Sequence, residues 1–148
     1  MAFRFPLEAV LHFRQSLEHQ QELRLRAANQ LVARVQGLIQ QVEVRREEIR
    51  SAQVEELAAG TTAVELQFEL LCATELVRQR RELEQQLARL KQLREQQREI
   101  FYQARRARET LEAVRDQQLR LYQKKAGRRQ QRSLDDLFLL RRQYLRRG

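Results

Sequence analysis

The chain has 148 residues and a formal net charge of +9, with 33% of its residues charged, 6% aromatic and no tryptophan. Such a composition excludes a thick hydrophobic core, and no stretch approaches the roughly 18 consecutive apolar residues of a membrane span. The single cysteine, Cys72, excludes an intramolecular disulfide.

The opening Met1-Ala2-Phe3-Arg4-Phe5-Pro6 lacks a hydrophobic signal region, so a cytoplasmic location is expected. Pro6 suits the first turn of a helix, where its missing N–H is not needed. From residue 7 a spacing of three and four runs through 7, 10, 14, 17, 21, 24, 28, 31, 35, 38, 42, 45, 49 and 52, and most of these positions are apolar. That alternation is the seam of a coiled coil. The first helix is expected over about 7–58, roughly 75–80 Å long at the helical rise. Gly37 lies off the seam and is expected to be tolerated at about 1 kcal/mol.

Between residues 7 and 126 there is no proline, and Gly60 is the one glycine in a plausible turn, Ala58-Ala59-Gly60-Thr61-Thr62. A turn at about 59–61 follows. Thr62-Ala63-Val64-Glu65 matches a capping box and opens a second helix over about 62–126. Its seam is expected through Ala73, Leu76, Arg80, Leu83, Leu87 and Leu90, then three residues on to Leu93 and along Gln97, Ile100, Ala104, Ala107, Leu111, Val114, Gln118 and Leu121. Two successive three-residue steps at Leu90–Leu93 read as a stammer. Antiparallel pairing about Gly60 sets residue i near residue 120 − i, which brings the polar positions Arg14, Gln21 and Arg24 toward the region of Gln97. Near the turn fewer seam partners exist, so Ile49, Leu57, Phe68 and Leu71 are expected to form an apolar docking surface.

Gly127 is expected to end the long helix. Ser133-Leu134-Asp135-Asp136 resembles a second capping box and opens a short amphipathic helix carrying Leu134, Leu137, Phe138, Tyr144 and Leu145. Residues 124–148 hold nine cations and two anions, a net +7, against +2 for the other 123 residues. The long helices are nearly neutral and the tail is basic, which suggests an acidic partner. The tail either docks on that partner or folds back on the hairpin. The expected fold is therefore all-α, a single coiled-coil domain over 1–148. It is a long antiparallel two-helix coiled-coil hairpin with a short C-terminal amphipathic helix over 127–148.

Chemistry-bearing motifs are absent: there is no phosphate loop, CxxC, HExxH or G-x-S-x-G. His12 and His19 lie seven apart, unlike the i, i+4 spacing of helical metal motifs. Glu47-Glu48 and Asp135-Asp136 are adjacent and do not converge on one helix face, and Cys72 reads as a structural thiol. No catalytic residue, metal or cofactor is expected, and the chain reads as a docking or mechanical protein.

Two end motifs carry a resemblance. Phe3-Arg4-Phe5-Pro6-Leu7-Glu8-Ala9-Val10-Leu11-His12-Phe13-Arg14 resembles the F-R-F-x-L-E-x-V-L-x-x-R opening of the FliJ family, and Arg132-Ser133-Leu134-Asp135-Asp136-Leu137 is similar to its closing segment. Phe138-Leu139-Leu140 is more apolar than in some relatives. The resemblance implies a component of the flagellar type III export apparatus similar to the central stalk of rotary ATPases, at the inner membrane of the flagellar base. It implies as partners the hexameric export ATPase, the cytoplasmic domain of the export gate protein, and export chaperones. It places Phe3, Phe5, Arg128, Arg129 and Arg132 at the end that enters the ATPase ring; the Ile49, Leu57, Phe68 and Leu71 tip, with its uncovered apolar side chains near the turn, either meets the gate or packs as an ordinary hairpin tip. Two other readings fit a basic rod: the stalk of a virulence-type secretion system, and a nucleic-acid-binding coiled coil. Against the last, the cations form no continuous stripe and lack interleaved aromatics for base stacking.

Overall fold

The structure, a computed structural model, describes residues 2–148. These form two helices, α1 (Glu8–Ala59) and α2 (Ala63–Arg147), that pack against each other as an all-α hairpin. Residues 2–19 with 103–148 make one compact unit, and residues 20–102 make a second.

The second unit contains the hairpin turn. Gly60 has φ +88°, in the left-handed region that strains any residue with a Cβ, and this reverses the chain within three residues. The capping box then starts α2. The Glu65 N–H donates to Thr62 Oγ1 at 3.3 Å, and the Thr62 N–H donates to Glu65 Oε2 at 3.3 Å. Val32, Val35, Val42 and Leu76 are buried along this unit's seam. The expected facing of Gln21 and Gln97 is found: Gln97 Nε2 donates to Gln21 Oε1 at 2.7 Å, and Gln21 is itself buried.

In the first unit, Pro6 lies in the turn just before α1, and the Glu8 and Leu11 N–H groups donate to the carbonyls of Phe5 and Leu7 at 3.2 and 2.9 Å. Leu11 has no exposed surface, and Phe5 and Ala104 are also buried.

The seam differs from the expected one in phase. On α1, positions 14, 21, 28, 35, 42 and 49 face inward as expected. The alternate set is 11, 18, 25, 32, 39, 46 and 53 rather than 10, 17, 24, 31, 38, 45 and 52. Val32 is 3% exposed and Leu31 48%. Adjacent apolar pairs at Val10-Leu11, Leu31-Val32 and Leu38-Ile39 make the two phases nearly equally apolar, and a step of one residue turns a side chain by roughly 100°. On α2 the expected stammer is absent. The seam runs 87, 90, 94, 97, 101, 104, 108, 111, 115, 118 and 122, alternating three and four without a break, while Leu93 and Ile100 stand exposed. Arg94 takes the seam place expected for Leu93, because its aliphatic stem covers apolar surface while its guanidinium reaches water.

The expected helix end at Gly127 is also corrected. α2 continues unbroken to Arg147, and the Ser133 to Asp136 segment lies inside it rather than capping a separate helix. Gly127 lacks the positive φ that ends α1. Its helical penalty of about 1 kcal/mol is spread among strong helix formers such as Lys125, Arg128, Arg129 and Gln130.

Candidate functional site

Two surfaces stay open when the seam is filled. The first is the hairpin tip. Leu57, Phe68 and Leu71 are exposed, Phe68 at 67%, while Ile49 is half-buried at the margin. Val54, Val64 and Leu70 join the same exposed apolar set. Their signal in the sequence was the same shortage of seam partners near the turn. A crevice at the tip is lined by Glu56, Gly60, Val64, Glu65, Phe68 and Glu69. Its carboxylates are in unequal states. The Thr61 hydroxyl, which donates to Glu65 Oε2 at 2.8 Å, and the Thr62 backbone hold Glu65 below the usual carboxylate range. The hydrogen bond and charge of facing Glu69 push Glu56 above it.

The second surface is the C-terminal stretch of α2, where residues 127–148 are exposed throughout. Arg128, Arg129 and Arg132 lie there, followed by the exposed Leu134, Leu137, Phe138, Leu140, Tyr144 and Leu145. The N-terminal aromatics belong to the same unit. The Phe3 ring lies 5.6 Å from the Tyr122 ring at a 48° tilt and is half-buried. Phe5 is inside the seam, so its ring is a packing group rather than a surface one.

An ion-pair cluster in this unit went unread in the sequence. The Arg108 guanidinium donates from Nε and Nη2 to the two oxygens of Glu18, the latter at 3.2 Å, and from Nη1 to Glu112 Oε2 at 2.7 Å. Gln15 Nε2 adds a donor to Glu112 Oε1 at 3.5 Å. The Glu18 hydrogen bonds, then its charge and that of Glu112, raise the Arg108 pKa against the cost of burial. Both Glu18 and Arg108 occupy seam positions only in the observed phase, so the pairing becomes visible once that phase is known. In the other unit the corresponding cross-helix pair is Arg80 with Glu43.

Cys72 is a half-buried free thiol, and His12 Nε2 lies 3.3 Å from Glu8 Oε1. Among the described residues no group of three or more His, Cys, Asp or Glu converges as a metal site. No helix among them is long and apolar enough to cross a membrane.

No curated protein and no solved structure matches the chain. A family model does: that of the flagellar FliJ protein matches residues 3–148. Both end motifs, the Gly60 hairpin and the basic C-terminal stretch fall within that span. The chain belongs to the FliJ family and is a component of the flagellar protein export apparatus.

Proposed function

We propose that this chain is the central-stalk-like coiled coil of the export apparatus. It binds and stimulates the hexameric export ATPase, couples it to the cytoplasmic domain of the export gate protein, and receives export chaperones. It performs no catalysis itself and works in the cytoplasm, peripherally associated with the inner membrane at the flagellar base. The observation that carries this reading is the full-length family match on a hairpin whose seam is closed while two surfaces remain open.

The ATPase contact is assigned to Phe3, Arg128, Arg129 and Arg132, with Phe5 supporting Phe3 from within the seam. Arginine suits the task because its planar fork binds carboxylates presented by several ring subunits. The gate contact is assigned to Leu57, Phe68 and Leu71, with Ile49 at the margin.

ATP turnover by the hexameric export ATPase tests the first assignment. The variant R128E/R129E/R132E is expected to stimulate turnover less than the unaltered chain, with the gap narrowing as salt screens the contact. Equal stimulation at every salt concentration removes these arginines from the interface. For the tip, Phe68→Ala is expected to weaken binding to the isolated gate domain while leaving the helical content unchanged. Undiminished binding removes the tip from that role.

A further inference from the structure

We propose that the basic C-terminal stretch of α2 in one copy docks on the hairpin tip of a second copy. The tip is acidic as well as apolar. Residues 51–77 contain Glu55, Glu56, Glu65, Glu69 and Glu75 and no lysine or arginine. Among them Val54, Leu57, Val64, Phe68 and Leu71 are exposed. The C-terminal stretch is its complement. Leu134, Leu137, Phe138 and Leu145 recur at i, i+3, i+4 and i+11 and are all exposed, inside a segment of net +7. That spacing is the pattern of a helix laid into an apolar groove.

Arg141, at i+7, stands in the middle of this apolar stripe rather than on its flank. A guanidinium so placed is desolvated along with its leucine neighbours when the stripe docks, and it then requires a carboxylate opposite. Hydrocarbon offers none, and the tip crevice offers several. Glu69 Oε2 is buried there and faces the Glu56 carboxyl, with no cationic side chain bonded to it among the described residues. The neighbouring Glu56 carboxyl is pushed upward by its proximity to Glu69. An arginine entering between them supplies further donors and the countercharge that would let both carboxylates ionise.

Phe68 and Phe138 lie on one unbroken helix, α2. The acidic tip belongs to one unit of the chain and the basic stripe to the other, and the occupant proposed for the tip is the stripe of a second copy. The contact is heterologous, joining unlike patches, so it builds a closed assembly where the rotation between copies closes and an open array where it does not. It covers surfaces assigned above to the ATPase and the gate, so self-association and partner binding exclude one another. The docking rests on this chain's own residues and stands whether or not those partner assignments hold.

Sedimentation of the full chain tests it. At low salt the average mass is expected to climb above that of one chain with increasing concentration, and to fall back at high salt. R141E/R142E and, separately, E56K/E69K are each expected to weaken association on the order of tenfold, with unchanged circular dichroism. Glu65 is left intact because it caps α2. Mixing the two variants restores association, since each then carries the charge the other needs. A single-chain mass at every concentration overturns the proposal, as does association indifferent to both charge reversals, or a mixture no larger than its parts. A wild-type chain that stays single but floats with vesicles of anionic phospholipid also overturns it, and assigns the stripe to a lipid surface.

Discussion

In the unit built from residues 2–19 and 103–148, side chains close on one another: Leu11 has no exposed surface, Phe3 packs on Tyr122, and Arg108 is clamped by Glu18 and Glu112. At the hairpin tip the same kind of helix pair leaves Val54, Leu57, Val64, Phe68 and Leu71 in solvent, with two carboxyl groups set face to face. The closed region is held by burial and ion pairing across the helices. The tip is held by backbone devices, a left-handed glycine and a reciprocal cap, which fix its shape without consuming its apolar surface. A two-helix protein has a thin seam, so side chains that face a partner are largely separate from those that keep the fold. Loss of stability and loss of binding should therefore map to different residues.

The largest expected effect tests that separation directly. Leu11→Ala should cost roughly 3 kcal/mol in chemical denaturation, because it removes a fully buried side chain. Leu57→Ala at the tip should stay within about 0.5 kcal/mol of the unaltered chain. Similar losses at the two sites would erase the distinction between closed and open regions. Next comes Arg108→Ala, which leaves the Glu18 carboxylate, 17% exposed, without its main partner. A loss of about 2 kcal/mol is expected, with Arg108→Lys recovering only part, because an ammonium cannot make the forked contact. Full recovery by lysine would reduce the cluster to a point charge.

At the tip, Thr62→Ala removes the hydroxyl that accepts the Glu65 N–H and should cost about 1 kcal/mol. An unchanged melt would mean that the cap does not set the start of α2. The smallest effect is Glu56→Gln. Glu56 titrates above its ordinary range in the folded chain, so folding disfavours its charged form, and its contribution is lost as pH rises through that raised value. The glutamine variant should therefore melt slightly higher at neutral pH and match the unaltered chain in acid. Glu65 runs the other way: its lowered value adds stability above the ordinary carboxylate pKa, lost as pH falls through the folded one. A titration in which Glu56 and Glu65 ionise together would remove the electrostatic contrast within the tip.

Half of the seam was legible from spacing alone. Positions 14, 21, 28, 35, 42 and 49 of α1, and 73 to 90 of α2, lie on the seam as the spacing predicts, and at Val35, Val42, Ile49, Leu83 and Leu90 polar neighbours leave a single apolar choice. The other set was misplaced where two apolar residues stand side by side, as at Leu31-Val32. On α2, Leu93 and Ile100 drew the expected seam away from Arg94 and Phe101. The tip residues Leu57, Phe68 and Leu71 were found as exposed apolar groups, since nearness to a turn is itself a sequence property. Phe5 was not separable from Phe3, because alternation at a chain end does not say which ring faces the other helix.

The sequence by itself determined the helical class, the turn at Gly60, the cap at Thr62 and Glu65, and the basic character of the C-terminal stretch. Each of these depends on a few neighbouring residues: on helix propensity, on the backbone freedom of one glycine, or on a hydroxyl and a carboxylate three positions apart. Only the tertiary structure decided the phase of the seam, the burial of Phe5 and the clamp on Arg108. Those depend on which side of each helix meets the other, and a rotation of roughly 100° between two nearly equally apolar faces is settled by contacts across the pair. The persistence of α2 through Gly127 falls between the two. Helix formers on both sides outweigh one glycine, but their excess is small enough that the continuous helix had to be seen.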